Sequence, residues 1–318
     1  MKHIRAASIT SLTTGLWYEA EVITSPIVAV TTPFQLDGRI DLPALGDYLD
    51  LLAAAGIRTI LVNGTTAEFA SLTSAERRRI VEYARGRWAG ELIAHVGSPA
   101  IAEAEELADH AAQHCDRLAA ISPYFFADAP EAGVEHYFAQ LLEATTHPVL
   151  LYNFPRHTQN PLSPALVARL AGRYPHVCGI KDSGMDLAVT REFKTRSPRL
   201  AVFAGNDRVG AGLSELGIDG VVTGAGGPVA ELPVAIAAAS RAGLSDRTMA
   251  LQRSFDDYTD TRKSFPLSDI AFAKAAVAER IPGFPTRVRS PLIGATVEQV
   301  ARIGGFIRDR MLDVIDHL

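Results

Sequence analysis

Cysteine is almost missing from this sequence. Cys115 and Cys178 are the only two in 318 residues, and they form no C-x-x-C spacing. That excludes a disulfide-stapled scaffold and a cysteine-based zinc site, and it fits a reducing, cytoplasmic compartment. Positive charge is not in excess either: 31 Lys and Arg stand against 36 Asp and Glu, a net charge of -5. With no basic stripe interleaved with aromatics, a nucleic-acid partner is not expected. No apolar run approaches the roughly 20 residues that span a membrane, so no membrane partner is expected. The first residues carry Lys2 and Arg5, but Thr10, Ser11, Thr13 and Thr14 interrupt any apolar stretch. Residues 1–23 therefore read as an N-terminal arm rather than a secretion signal.

What the chain does contain is alternation. Eight short, almost continuously apolar runs fall at 26–31, 59–63, 92–96, 117–122, 148–153, 177–181, 201–204 and 220–223. Such runs suit parallel strands covered on both faces. Helical patterns lie between them and carry start signals. Pro43 follows Asp41-Leu42, Thr73 and Glu76 form a capping box, and Ser163-Pro164 opens a third helix. Gly56, Gly172 and Gly217 fall where helix C-caps are expected. Eight βα units predict an α/β TIM barrel over 24–243. A doubly wound sheet would announce itself with a Gly-rich turn after its first strand, where this chain has Thr32-Pro33-Phe34. Further helical patterns near 244–262, 266–279 and 296–315 predict a C-terminal helical extension over 244–318.

Chemistry in such a barrel collects at the carboxyl ends of the strands. On that rule Gly64, Thr65, Thr66 and Glu68 follow strand two, and Tyr152 and Asn153 close strand five. Lys181 closes strand six, Gly205, Asn206 and Asp207 follow strand seven, and Gly224, Gly226 and Gly227 follow strand eight. Burying a lysine disfavours its charged form, which frees the amine to attack carbonyl carbon and form a Schiff base. Tyr152 supplies a phenol for proton transfer. Thr65 and Thr66 supply hydroxyls and backbone N–H groups for a carboxylate. Each residue has a plainer reading when taken alone: a solvated lysine, a core tyrosine, a turn bonding to itself. Their shared face favours one site.

These residues resemble the dihydrodipicolinate synthase / N-acetylneuraminate lyase family over about residues 24–295. The matching strings are Val30-Thr31-Thr32-Pro33-Phe34, Asn63-Gly64-Thr65-Thr66-Ala67-Glu68, Ser122-Pro123-Tyr124, Tyr152-Asn153-Phe154-Pro155, Gly179-Ile180-Lys181-Asp182 and Gly205-Asn206-Asp207. The resemblance implies a class I mechanism with no metal and no cofactor. It implies that Lys181 forms an imine with pyruvate or another 2-oxo acid, that Tyr152 relays protons, and that Thr65-Thr66 grips the carboxylate. Gly205 and the Val222 backbone would line the pocket. It also implies a homotetramer, a dimer of dimers.

Several positions depart from the synthase pattern. Ala67 replaces a glycine, which predicts a reshaped turn if that position needs positive φ. Phe125, followed by Phe126, stands where the synthases carry a relay tyrosine. His157 stands where they carry a carboxylate-binding arginine, with Arg156 one position early and Gln159 in place of a glycine. The 127–131 loop is slightly longer. These changes touch the second-substrate side and spare the pyruvate side. The expectation is therefore a sister aldolase, of the 2-keto-3-deoxy-sugar-acid or 4-hydroxy-2-oxoglutarate type. The synthase itself, a deoxy-keto sugar acid dehydratase and a non-catalytic 2-oxo acid sensor are the alternatives.

Overall fold

The computed structural model describes residues 23–318. Nearly all of the expected arm at 1–23 thus lies outside the described residues. Among the described residues eight strands close a parallel barrel in sequence order. They are β1 (Ile27–Ala29), β2 (Thr59–Val62), β3 (Glu91–His95), β4 (Arg117–Ile121), β5 (Val149–Asn153), β6 (Val177–Asp182), β7 (Ala201–Ala204) and β8 (Gly220–Thr223). The connecting helices are α1 (Leu42–Ala54), α2 (Ser74–Arg87), α3 (Ile101–Ala111), α4 (Glu131–Ala144), the single turn α5 (Pro155–Thr158), α6 (Pro164–Arg173), α7 (Leu187–Arg196) and the short α8 (Leu213–Leu216). After β8 come α9 (Glu231–Arg241), α10 (Ser245–Ser264), α11 (Asp269–Arg280), α12 (Val297–Phe306) and α13 (Asp313–Ile315). The expected TIM barrel with a C-terminal helical part is the observed fold. No described helix is long and apolar enough to cross a membrane.

The local signals act as expected where side chains meet backbone. Asp41 caps α1 by accepting from the Ala44 N–H, and Ser163 caps α6 through Leu166. Thr73 and Glu76 form both bonds of a capping box on α2. Gly217 ends α8 in the left-handed region. Gly172 is different: it lies inside α6, which runs on to Arg173 and is capped by Tyr174. A glycine is tolerated in a last turn, so position alone did not mark the helix end. Pro266 likewise precedes α11, which starts at Asp269 after its cap Ser268.

Two layers of apolar side chains hold the barrel. Inside it, Ile27, Leu61, Ile93, Leu150, Phe203 and Val222 are all nearly inaccessible and touch one another. Outside, Val28, Ile60, Leu92, Leu118, Val149 and Val202 face the helices. This alternation is the period-2 geometry of a strand. A separate cluster built on Leu232, Phe255, Tyr258, Phe272 and Ile303 joins α9 to the C-terminal helices.

One irregularity in β6 sets the direction of Lys181. Val149 pairs with Val177, but Leu150 pairs with Gly179, so β6 carries one extra residue there. Val177 faces the helices. Simple alternation from it would turn position 181 outward as well. The extra residue resets the parity, as a bulge does. Gly179 then stands level with Leu150 and Ala201, and Lys181 with Tyr152 and Phe203, on the interior face. Gly179 is required at this bend, because a Cβ there would come within 2.5 Å of the Ala201 carbonyl oxygen. We predict that Gly179→Ala lowers the urea unfolding free energy by about 1–3 kcal/mol, the usual cost of overpacking. An unchanged midpoint would show that β6 and β7 separate without penalty.

Candidate active site

Lys181 is only 6% exposed, and its Nζ lies 4.0 Å from the centroid of the Tyr152 ring. No carboxylate among the described residues pairs with it. The amine therefore faces an aromatic surface in a nearly dry interior. Tyr152, on the neighbouring strand, is 1% exposed, and its hydroxyl lies 3.2 Å from Thr65 Oγ1. Its ring is fixed by Phe154, stacked at 5.9 Å, and by His95, edge-on at 6.0 Å. Amine, phenol and threonine hydroxyl thus form one connected row.

The turn after β2 presents the rest. Gly64 leads two short 3-10 turns, Thr65–Ala67 and Phe69–Ser71. The Gly64 carbonyl accepts from Ala67 N–H, and Thr65 accepts from Glu68 N–H. The N–H groups of Thr65 and Thr66 have no backbone acceptor among the described residues, so two donors and the Thr66 hydroxyl remain for a ligand, while the Thr65 hydroxyl meets Tyr152. The positive φ falls on Glu68, at 60°, and not on Ala67. The substitution at 67 is therefore accommodated, since a residue in a 3-10 turn needs no left-handed backbone. The loop after β8 closes on this turn: a Cβ on Gly224 would come within 2.4 Å of Thr66 Oγ1.

Gly205 donates to the Asp182 carbonyl at 2.6 Å and leaves room for the Ser183 side chain. Val222 follows the Ala204–Val221 pair and points into the interior cluster. The structure thus brings Lys181, Tyr152, Gly64, Thr65, Thr66, Gly205 and Val222 to one end of the barrel. Glu68 is used otherwise. One of its carboxylate oxygens accepts from the Lys274 ammonium and the other from the Arg289 N–H. Arg156 and His157 sit on α5 with exposed side chains. The His157 ring packs edge-on against Phe154 at 4.2 Å.

Sequence reasoning missed a buried set of supports. Asp182 accepts from Asn153 Nδ2 at 2.8 Å, from the Gly184 N–H at 2.9 Å and from Thr190 Oγ1 at 2.6 Å. This locks the strand end that carries Lys181. His95 places Nδ1 at 2.9 Å from the Asn63 carbonyl, and burial holds its pKa well below the ordinary histidine value. Buried Arg77 donates to the His95 and Gly97 carbonyls. Asn160 ties the loop after β4 through Pro123, Phe126 and Ala129. Only the Asp182 and Asn153 positions had a signal, as polar residues ending apolar strands. Glu82, His110 and His114 could together hold a metal ion, their ligand atoms lying within 4.8 Å of one another. They belong to α2, α3 and the turn after α3, on the outside of the barrel.

The model of the dihydrodipicolinate synthetase family matches residues 23–304. The chain belongs to that family. It is similar to the probable 2-dehydro-3-deoxy-D-pentonate aldolase YjhH of Escherichia coli K12, at 34% identity over 68% of this chain and 74% of that protein. It is also similar to the 4-hydroxy-tetrahydrodipicolinate synthase of Acidobacterium capsulatum, at 32% identity over 87% of this chain and 93% of that one. Among solved structures it resembles YagE of E. coli K12 in complex with pyruvate. There the TM-score is 0.83 at 27% identity, covering 89% of this chain and 97% of that one. The chain is a carbon–carbon lyase of this family, with the barrel and helical extension that membership entails.

Of the two residues expected on the second-substrate side, Arg156 and His157, the histidine has a shifted charge equilibrium. Partial desolvation where the otherwise exposed ring packs on Phe154, and then the neighbouring Arg156 charge, lower its pKa below the ordinary value of ~6.5. The ring is therefore neutral at pH 7 and protonates only on further acidification. Ring-nitrogen NMR should give a His157 titration midpoint below that of a free histidine. A midpoint at or above ~6.5 would contradict the desolvation argument.

Proposed function

We propose that the protein forms a Schiff base between Lys181 and pyruvate or a related 2-oxo acid, and makes or breaks the adjacent carbon–carbon bond. The reaction type is that of 2-keto-3-deoxy-sugar-acid or 4-hydroxy-2-oxoglutarate aldolases. The observation that carries this reading is the row of Lys181 Nζ, the Tyr152 ring and the Tyr152–Thr65 hydroxyl contact. The resemblance to a pyruvate-bound relative and to a named aldolase supports it.

The chemistry runs through these residues. The neutral Lys181 amine adds to the keto carbon. The resulting carbinolamine loses water to give the imine, and protons pass through the Tyr152 hydroxyl. Loss of a proton from the neighbouring carbon gives an enamine. That carbon bonds to an aldehyde, whose oxygen takes up a proton, and hydrolysis returns the lysine. Cleavage is the reverse. Thr65 and Thr66 bind the acid group, and Thr65 also holds the phenol in place. Gly205 and Val222 line the pocket.

The two buried free cysteines fit a cytoplasmic enzyme. Phe125 and Phe126 are 85% and 74% exposed, and Phe125 holds φ at 82°. Apolar rings held out at this cost support a homotetramer in which another copy covers them.

The synthase reading draws on the match to the Acidobacterium enzyme. Against it stand Phe125, which has no hydroxyl, and His157, which is neutral at pH 7. Neither offers a charge to the second carboxylate that aspartate semialdehyde would bring, which leaves Arg156, one position earlier on α5, as the cation of that turn. Desolvating that group without a partner is expensive.

Borohydride with pyruvate should add a reduced pyruvyl group to Lys181. Tyr152→Phe should still be trapped but turn over roughly 10²- to 10⁴-fold more slowly. Label on a surface lysine with Lys181 untouched would sink the mechanism. In steady state, a panel of 2-keto-3-deoxy acids and 4-hydroxy-2-oxoglutarate should be cleaved well above the rate of synthase turnover with aspartate semialdehyde. A synthase kcat/KM of ~10⁴ M⁻¹s⁻¹ or more, in the ordinary enzyme range, would reverse the ranking. Trapping without turnover on any substrate would favour a sensor.

A further inference from the structure

Lys274 takes no part in the Schiff-base chemistry, yet its surroundings are among the most specific in the molecule. It lies in α11 within Ala271-Phe272-Ala273-Lys274-Ala275-Ala276-Val277, and every residue of that run is fully buried. A lysine in such a helix needs a partner for its charge. The small alanines bring α11 close to the turn after β2, and the ammonium reaches Glu68 there. It also donates to the Arg287 carbonyl at 2.8 Å and lies 4.3 Å from the centre of the Phe34 ring. Burial lowers its pKa to about 8, and the Glu68 carboxylate opposes that fall, so Lys274 keeps its charge at neutral pH.

Glu68 is the hinge of this contact. Its backbone is left-handed, at φ 60° and ψ 36°, and it joins the two 3-10 turns. A non-glycine residue holds that conformation only where its surroundings enforce it. Here the Glu68 N–H bonds to the Thr65 carbonyl and its carboxylate is held by Lys274 and the Arg289 N–H. Arg289 is itself fastened to Glu76 and to the Ser71 and Gly38 carbonyls. The C-terminal extension thereby grips the segment that starts one residue after Thr65-Thr66-Ala67.

We propose that Lys274 is a positioning residue for the reaction: through its buried ion pair with Glu68 it holds the Thr65–Thr66 turn in the geometry that receives the substrate carboxylate. This rests on the reading of that turn as the carboxylate site. It assigns to the C-terminal extension a part in substrate affinity, and it separates Lys274 from Lys181, which takes part in the bond-making.

The test is borohydride trapping at graded pyruvate concentrations on the full chain, with wild type, Lys274→Met and the double variant Glu68→Gln/Lys274→Met. Circular dichroism and thermal unfolding follow the fold. Lys274→Met leaves a carboxylate buried without its partner and can fail to fold. The double variant removes both charges and keeps the volume, so it isolates the lost tie. The half-saturating pyruvate concentration should rise about tenfold or more, while label at saturation stays near the wild-type amount and kcat changes less than about threefold. The preference for pyruvate over methyl pyruvate, which lacks the charge, should fall by the same factor. A folded double variant with wild-type half-saturation and wild-type preference overturns the proposal. So does failure of both variants to fold, since the pair would then serve the fold alone. Absence of wild-type label at Lys181 would overturn the Schiff-base reading itself, and the proposal with it.

Discussion

One extra residue in β6 decides which way Lys181 faces. Side chains alternate along a strand, so a one-residue slip moves every later side chain to the opposite face. The break in register between the Val149–Val177 and Leu150–Gly179 pairs is such a slip. It puts the lysine level with Tyr152 and Phe203 inside the barrel, and not among the helices. The face of the Tyr152 ring, with its centre 4.0 Å from Nζ, is the polar contact the ammonium finds there. The same placement would put the amine beside the carbonyl carbon in the proposed reaction.

The contrast with Lys274 shows how environment assigns roles to identical side chains. Both lysines are buried. Lys274 meets a carboxylate, a carbonyl and an aromatic face, and that set holds an ammonium at neutral pH. Lys181 meets an aromatic face and no carboxylate among the described residues. A lysine with a fixed counter-charge is a poor nucleophile, because its lone pair carries a proton. The two are complementary: one holds the turn that would orient the acid group, and the other would react with the carbon beside it.

The barrel was legible because each strand is a short apolar run bounded by turn residues. The runs at 201–204 and 220–223 coincide with β7 and β8, and the others differ only at their ends. The capping box on α2 was equally legible, since its two bonds join residues three apart. Lys181, Tyr152 and the Thr65-Thr66 pair could be placed together from the barrel rule alone. What could not be read was anything joining distant segments. Glu68 looked like a substrate contact because it follows the threonines, but its partner lies 206 residues further on. The β6 bulge left no mark beyond a glycine, and the His95–Asn63 contact crosses between strands. Local sequence records propensity, and these are outcomes of packing.

The remaining question is how the proposed site would choose its second substrate. Lys181, Tyr152 and Thr65 form a connected, mostly buried row. The second-substrate side is built differently: α5 is a single turn with exposed Arg156 and His157, and the Asn160-tied loop carries exposed Phe125 and Phe126. On α5 this side offers the Arg156 guanidinium and a neutral His157. A partner rich in hydroxyls loses less on leaving water for such a surface than one carrying a second carboxylate. Under the proposed aldolase reading, hydroxylated aldehydes are the partners that such a surface would suit.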